Sequence, residues 1–200
     1  MVIGFAGGLD RVGDLETMLG NTLLRVKQRF GDRVRFEFFG AVPSFAGKLD
    51  AVSLPHCDSY EEYRRRLNMR EWDIGLAPMP ETDFHACKHY NKFCEYAASG
   101  IAGLFSEVHP YTRIPRDQGF FAKNTEEDWE RQLVCMIDHP EEVHRMGETV
   151  LETAGSTLSV STAADQMERN WPELLTCRSP EHPWPSTEAL RLQGRLVKLD

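Results

Sequence analysis

The chain has 200 residues, 41% of them hydrophobic and 27% charged, enough apolar material for one domain with a sizeable core and too much for a disordered segment. Its net charge of -8 excludes a nucleic-acid binder that works through a broadly basic face, yet leaves room for a local basic pocket holding a phosphorylated small molecule. There is no apolar run of about 18 residues, so no transmembrane segment is expected.

The N-terminus, MVIGFAGGLDRVGDLE, lacks a basic n-region and turns acidic quickly, which does not fit a signal peptide. The five cysteines, Cys57, Cys87, Cys94, Cys135 and Cys177, are irregularly spaced and form no Cys-x-x-Cys pair. Free thiols in a reducing, cytoplasmic setting are the expectation.

The apolar run VIGFAGG (2–8) reads as a buried strand ending in a tight turn. Apolar residues at 15, 18, 19, 23 and 26 predict a helix over 14–30. VRFEFFG (34–40) and DAVSLPH (50–56) predict the second and third strands. SYEEYRRRLNM (59–69) predicts a helix, with Ser59 as N-cap and Glu62 completing a capping box. DIGLAPM (73–79) is a fourth strand, stopped by Pro78 and Pro80. CKHYNKFCEYAASG (87–100) predicts a short amphipathic helix running into the strand IAGLFS (101–106), and GFFAK (119–123) is a sixth strand. Helices follow over 125–138, capped by Thr125, over 141–155 after Pro140, and over 161–175 up to an interruption at Pro172.

Strands alternating with helices predict an α/β fold: a Rossmann-like, doubly wound parallel sheet of about six strands, with helices on both faces and C-terminal helices. The domain is expected to cover residues 1–176. Pro180, Pro183 and Pro185 mark 177–200 as a linker and charged tail.

Ligands of such sheets bind outside the carboxyl ends of the strands. Three segments are expected at that edge. In AGGLDR (6–11), Gly7 and Gly8 either make a plain turn or let the backbone approach a phosphate beside a helix N-terminus. In APMPETDFHACK (77–88), Asp83 and His85 suit sugar hydroxyls, although Asp83 equally suits a helix cap. The alternation His85, Cys87, His89 invites a zinc reading, but it suits a strand and lacks a fourth ligand at a suitable spacing, so no metal is expected. In the helix, Lys88, Lys92 and Glu95 fall at i, i+4 and i+7 on one side, opposite Tyr90, Phe93, Cys94 and Ala97. That stripe is either a surface salt bridge, Lys92 to Glu95, or a grip on a ligand: ammonium groups for a pyrophosphate, a carboxylate for vicinal hydroxyls.

The stretch DIGLAPMPETDFHACKHYNKFCEYAASGIAGLFSEVHPY (73–111) resembles the donor-site segment of GT-B glycosyltransferases of the group 1, or family 4, type. Those proteins read D-x-G-x-A-P-L, then F-N-x-x-K-S-x-x-K-x-x-E-Y-x-A-x-G-x-P-V-V-x-S. The likeness extends more thinly over residues 1 to about 175. It implies the C-terminal, nucleotide-sugar-binding domain of a two-domain enzyme of hexosyltransferase type. The donor substrate would be a nucleoside diphosphate sugar, with no metal cofactor. An N-terminal domain absent from this chain would be the partner, so the isolated chain would be inactive. By resemblance Glu95 takes the ribose, and Lys88 and Lys92 the phosphates or sugar. Phe84 and His85 lie near the donor sugar, Gly7 and Gly8 near the phosphates, with Arg11 a substitute for a diphosphate-clamping arginine. No catalytic residue is assigned.

The sequence departs from the pattern at Cys87, where paired-glutamate members carry an acid, at Gly8, where many carry arginine, at Ala102 for proline and at His85 for asparagine. These departures keep two alternatives in view: a non-catalytic interaction module on the same fold, and a nucleotide-sugar epimerase or hydrolase.

Overall fold

The computed structural model describes residues 1–170. Six parallel strands form one sheet: β1 (Val2–Gly7), β2 (Arg35–Gly40), β3 (Val52–Leu54), β4 (Ile74–Ala77), β5 (Ala102–Ser106) and β6 (Phe120–Ala122). Their order is β3-β2-β1-β4-β5-β6. The helices are α1 (Val12–Phe30), α2 (Tyr60–Asn68), α3 (Asp83–Ala86), α4 (Asn91–Ala97), α5 (Glu126–Asp138), α6 (Pro140–Ser156) and α7 (Val160–Asn170). The expected doubly wound α/β architecture is therefore the one found. Met1–Ser159 forms one compact unit and a second begins at Val160, represented among the described residues by α7 alone. The expected Pro-rich linker and tail, 177–200, and the expected domain end at 176 lie outside the described residues.

Alternation along the strands explains the two layers of core. In β1, Ile3 and Phe5 join the cluster under α1 and α5, whereas Ala6 joins the cluster under α2, α4 and α6. β5 divides the same way, with Ala102 and Leu104 on one face and Phe105 on the other. The α1 stripe of Leu15, Leu19, Leu23, Val26 and Phe30 is buried along its length. Each such side chain contributes about 1.5–3 kcal/mol of burial. The predicted caps are made: Ser59 Oγ accepts from Glu62 N–H, and Thr125 Oγ1 accepts from Asp128 N–H.

The α2/α4/α6 face carries a row of glycines across the central strands. Gly4 pairs with Gly75, and Gly75 with Gly103. The row gives room to aromatic rings: a Cβ on Gly75 would lie 2.6 Å from the Tyr96 ring, and one on Gly4 2.0 Å from Trp72. The Tyr96 hydroxyl donates to the Leu76 carbonyl at 2.7 Å, tying α4 down onto β4. Asp73 closes the start of the β1/β4 pair, its carboxylate accepting from Val2 N–H at 2.6 Å. Gly75 and Tyr96 thus seat α4 close against the sheet, while Asp73 ties the start of β4 to β1.

One expectation is corrected. The helix predicted over CKHYNKFCEYAASG (87–100) is shorter, Asn91–Ala97, and a break over Cys87–Tyr90 separates it from the one-turn helix α3 before it. Lys88 lies in that break and not on the α4 stripe. Glu95 is buried, 8% exposed, on a helix whose inner face also carries Phe93, Tyr96 and Ala97. In a helix only seven residues long, two turns pressed against the sheet leave few positions fully outside.

Candidate functional site

The strand order reverses between β1 and β4. Their following loops leave toward opposite faces, which opens a crevice at the carboxyl edge. A cleft of about 340 Å³ occupies this place. One wall is the turn after β1, with Gly7, Gly8, Asp10 and Arg11; its floor is Ala77, Pro78 and Met79 after β4. The other wall is Lys88, His89, Asn91, Lys92 and Glu95, and Phe5 and Tyr111 line the depth.

The β1 turn is shaped by its neighbour strand. Gly7 pairs with Gly40, and Ala41 N–H donates to the Gly7 carbonyl at 3.0 Å. Gly40 has φ +81°, and a Cβ there would lie 2.3 Å from the Gly7 oxygen, so only glycine fits. Arg11, just past the turn, spans the cleft floor. Its guanidinium donates to the Pro78 carbonyl at 2.6 Å and pairs with Asp14 at 3.2 Å. Met79 is held from two more sides: its N–H donates to Ser106 Oγ at 2.8 Å, and its carbonyl accepts from Asn124 at 2.9 Å. Main-chain groups in this loop find fixed partners, which makes the floor rigid.

On the opposite wall Lys92 Nζ lies 2.6 Å from Glu95 Oε2. Tyr63, from α2, donates its hydroxyl to the same oxygen at 2.7 Å. Lys92 also donates to the Tyr63 oxygen at 3.2 Å and lies over the Tyr63 ring. Burial, and after it the Glu95 charge, pushes the Tyr63 hydroxyl far above its ordinary range, so it stays a proton donor. Burial also raises the Tyr111 hydroxyl, while Arg11 pulls it down and Glu95 pushes it up. The two charges act on the cleft floor with opposite signs. Lys88 lies 4.7 Å from the centre of the Phe84 ring, with no carboxylate partner among the described residues.

Of the residues expected at the site, Gly7, Gly8, Arg11, Lys88, Lys92 and Glu95 come together around this cleft. Asp83, Phe84 and His85 do not line it. Asp83 borders a separate shallow depression with Thr82 and His109, and Phe84 is 69% exposed. His85 bonds Thr82 at 2.8 Å and lies 4.0 Å from Asp14. The cap of α3 is Thr82 and not Asp83. Tyr63, Tyr111, Met79 and Asp10 were missed. A tyrosine in the EEYRRRL helix gives no sign in the sequence that it reaches Glu95, 32 positions away. Ser106, by contrast, closes the matched motif and could have been read from it.

No protein-family model and no curated protein matches the chain. Solved structures do. The chain is similar to TarM of S. aureus (10% identity, TM-score 0.62, covering 88% of this chain and 35% of that one). It is also similar to HepE of Anabaena, solved in complex with UDP and glucose (10%, 0.62, 86% and 48%). A third match is the C-terminal domain of LpcC, a glycosyl transferase group 1 family protein of Francisella tularensis (13%, 0.57, 80% and 86%). The chain spans about a third to a half of TarM and HepE and most of the LpcC domain. At these identities the likeness establishes the fold alone, the Rossmann-like α/β fold that the chain shares with parts of these structures.

Proposed function

We propose that this chain is the donor-binding domain of a glycosyltransferase and takes a nucleoside diphosphate sugar in the cleft between β1 and β4. One observation carries the reading. At the switch point of the sheet, a single cleft combines two lysines, an arginine and a buried carboxylate beside a glycine turn. Lys88 and Lys92 supply positive charge for the diphosphate, and Arg11 adds a fixed charge from below. Glu95 accepts from the ribose hydroxyls. In transfer, an acceptor hydroxyl oxygen bonds to the sugar's anomeric carbon and gives its proton to a base, while the bond from that carbon to the diphosphate oxygen breaks and the leaving oxygen keeps the electron pair. Charge therefore grows next to these cations, where their stabilisation is greatest. The acceptor site and any general base belong to an N-terminal domain; among the described residues no acid–base pair in the cleft is placed to activate a hydroxyl. Cys57, Cys87, Cys94 and Cys135 are free thiols, which suits a reducing cytoplasm.

Calorimetry with UDP, GDP and their sugars tests the reading; no binding by any of them at millimolar concentration overturns it. Glu95→Ala should weaken nucleotide binding by about 1.5–3 kcal/mol through the lost charge-assisted bonds. A second reading, an interaction module without a ligand, is favoured by the closed Lys92–Glu95 pair and by Cys87 and Gly8 at positions where other members place charge. The same titration separates the two.

A further inference from the structure

We infer that the Lys92–Glu95 ion pair is a latch opened by the diphosphate, so that phosphate binding and ribose binding in this cleft are cooperative. The inference rests on the nucleotide reading and concerns how the site selects a nucleoside diphosphate over a bare nucleoside.

A carboxylate grips a vicinal diol with both oxygens. Here Oε2 already accepts two hydrogen bonds, from Lys92 at 2.6 Å and from Tyr63 at 2.7 Å, which fill its two lone pairs. With the latch shut, Glu95 offers a diol only Oε1. One of the two donors must leave before both oxygens are available.

Tyr63 is not the one to leave. Its ring packs against Phe39 at 5.2 Å and stacks with Tyr60 at 5.9 Å, and its hydroxyl donor persists because burial keeps it protonated. Lys92 is a four-carbon chain whose ammonium lies on the cleft wall, 20% exposed. A diphosphate in the cleft offers that ammonium anionic oxygens in exchange for Oε2. A nucleoside alone offers nothing, and opening the latch for it would leave a half-buried charge without a partner. The diphosphate's contacts and the ribose's contacts therefore strengthen each other.

The wild-type chain provides the first test. Calorimetric titration of uridine, and separately of guanosine, is run with and without saturating inorganic pyrophosphate. The latch predicts that pyrophosphate raises the affinity of the matching nucleoside, about tenfold for one charge-assisted bond gained. Independent or mutually exclusive binding overturns it. The second test uses Lys92→Met and Lys92→Arg, with Lys92→Gln if the methionine variant does not fold. Removing the ammonium should weaken UDP or GDP about tenfold or more while leaving the bare nucleoside bound as well as before or better. Lys92→Arg should restore the wild-type order. An equal loss for nucleoside and diphosphate would make Lys92 a plain structural support and sink the latch. If the wild-type chain binds neither diphosphates nor nucleosides, the nucleotide reading itself fails, a result distinct from binding without coupling.

Discussion

The two walls of the cleft carry the same kinds of charge and hold them in opposite ways. On the β1 side, Arg11 is tied to a main-chain carbonyl and to Asp14, over a floor that Ser106 and Asn124 fix from beneath. On the α4 side, Lys92 is bonded to groups of the cleft wall, Glu95 and Tyr63, and can exchange them for a ligand's oxygens. A cation held by the backbone supplies a field that does not depend on the ligand, whereas a cation held by a movable pair responds to what enters. The difference follows from chemistry as well as position: a guanidinium fork binds several acceptors in fixed geometry, and an ammonium on a flexible stem does not.

Substitutions can break this contrast. The largest effect is expected on the fixed wall's foundation. Gly40→Val sets a Cβ against the Gly7 oxygen at a φ that L-residues avoid, and should cost about 2–4 kcal/mol of stability in urea unfolding, with the β1 turn displaced. A loss under 1 kcal/mol would show that the turn yields without affecting the fold. Next comes Arg11→Met, which keeps the apolar stem but removes the bonds to Pro78 and Asp14. Stability should drop by about 1.5–3 kcal/mol, together with nucleotide affinity. Lys92→Met leaves buried Glu95 with Tyr63 as its remaining partner, so it too should lower stability, by about 1–3 kcal/mol, but it alone should change the ratio of diphosphate to nucleoside affinity. If the two variants behaved alike, the distinction between fixed and exchangeable walls would be lost.

The smallest effect concerns pH. His85 lies 4.0 Å from Asp14, the carboxylate that pairs with Arg11, and its pKa is lowered, first by burial and then by the Lys88 charge. A histidine with a lowered folded pKa binds its proton more readily unfolded. Stability is therefore unaffected above the ordinary histidine range and falls as pH drops through that range toward the lowered value. Melting temperatures from pH 8 to pH 5 should decline less steeply in His85→Gln than in the wild type. Equal slopes would remove His85 from the wall's electrostatics.

Much of the fold was legible because its determinants are local. Period-two and helical patterns place all six strands, and Ser59 and Thr125 announce helix starts that the structure makes. Legibility failed over 87–100, where the sequence predicts one amphipathic helix but the structure forms it only over Asn91–Ala97. The burial of α4 is set by β4 beneath, through Gly75 and Tyr96, rather than by propensity. Asp83, Phe84 and His85 looked like cleft residues because they follow β4. The one-turn helix α3, capped by Thr82, carries them away from it.

The charged residues of the cleft were also readable: Lys92 and Glu95 form the salt bridge that was one of the two readings, and both line the cleft. What the sequence by itself determined is the order of elements, the parallel sheet and the presence of basic and acidic groups near its carboxyl edge, since alternation, capping and loop position are encoded over a few residues each. What only the tertiary structure decided is which of those groups face one another. Tyr63 reaches Glu95 from 32 positions away, and Arg11 reaches Pro78 from 67, because adjacent strands bring distant loops to one crevice.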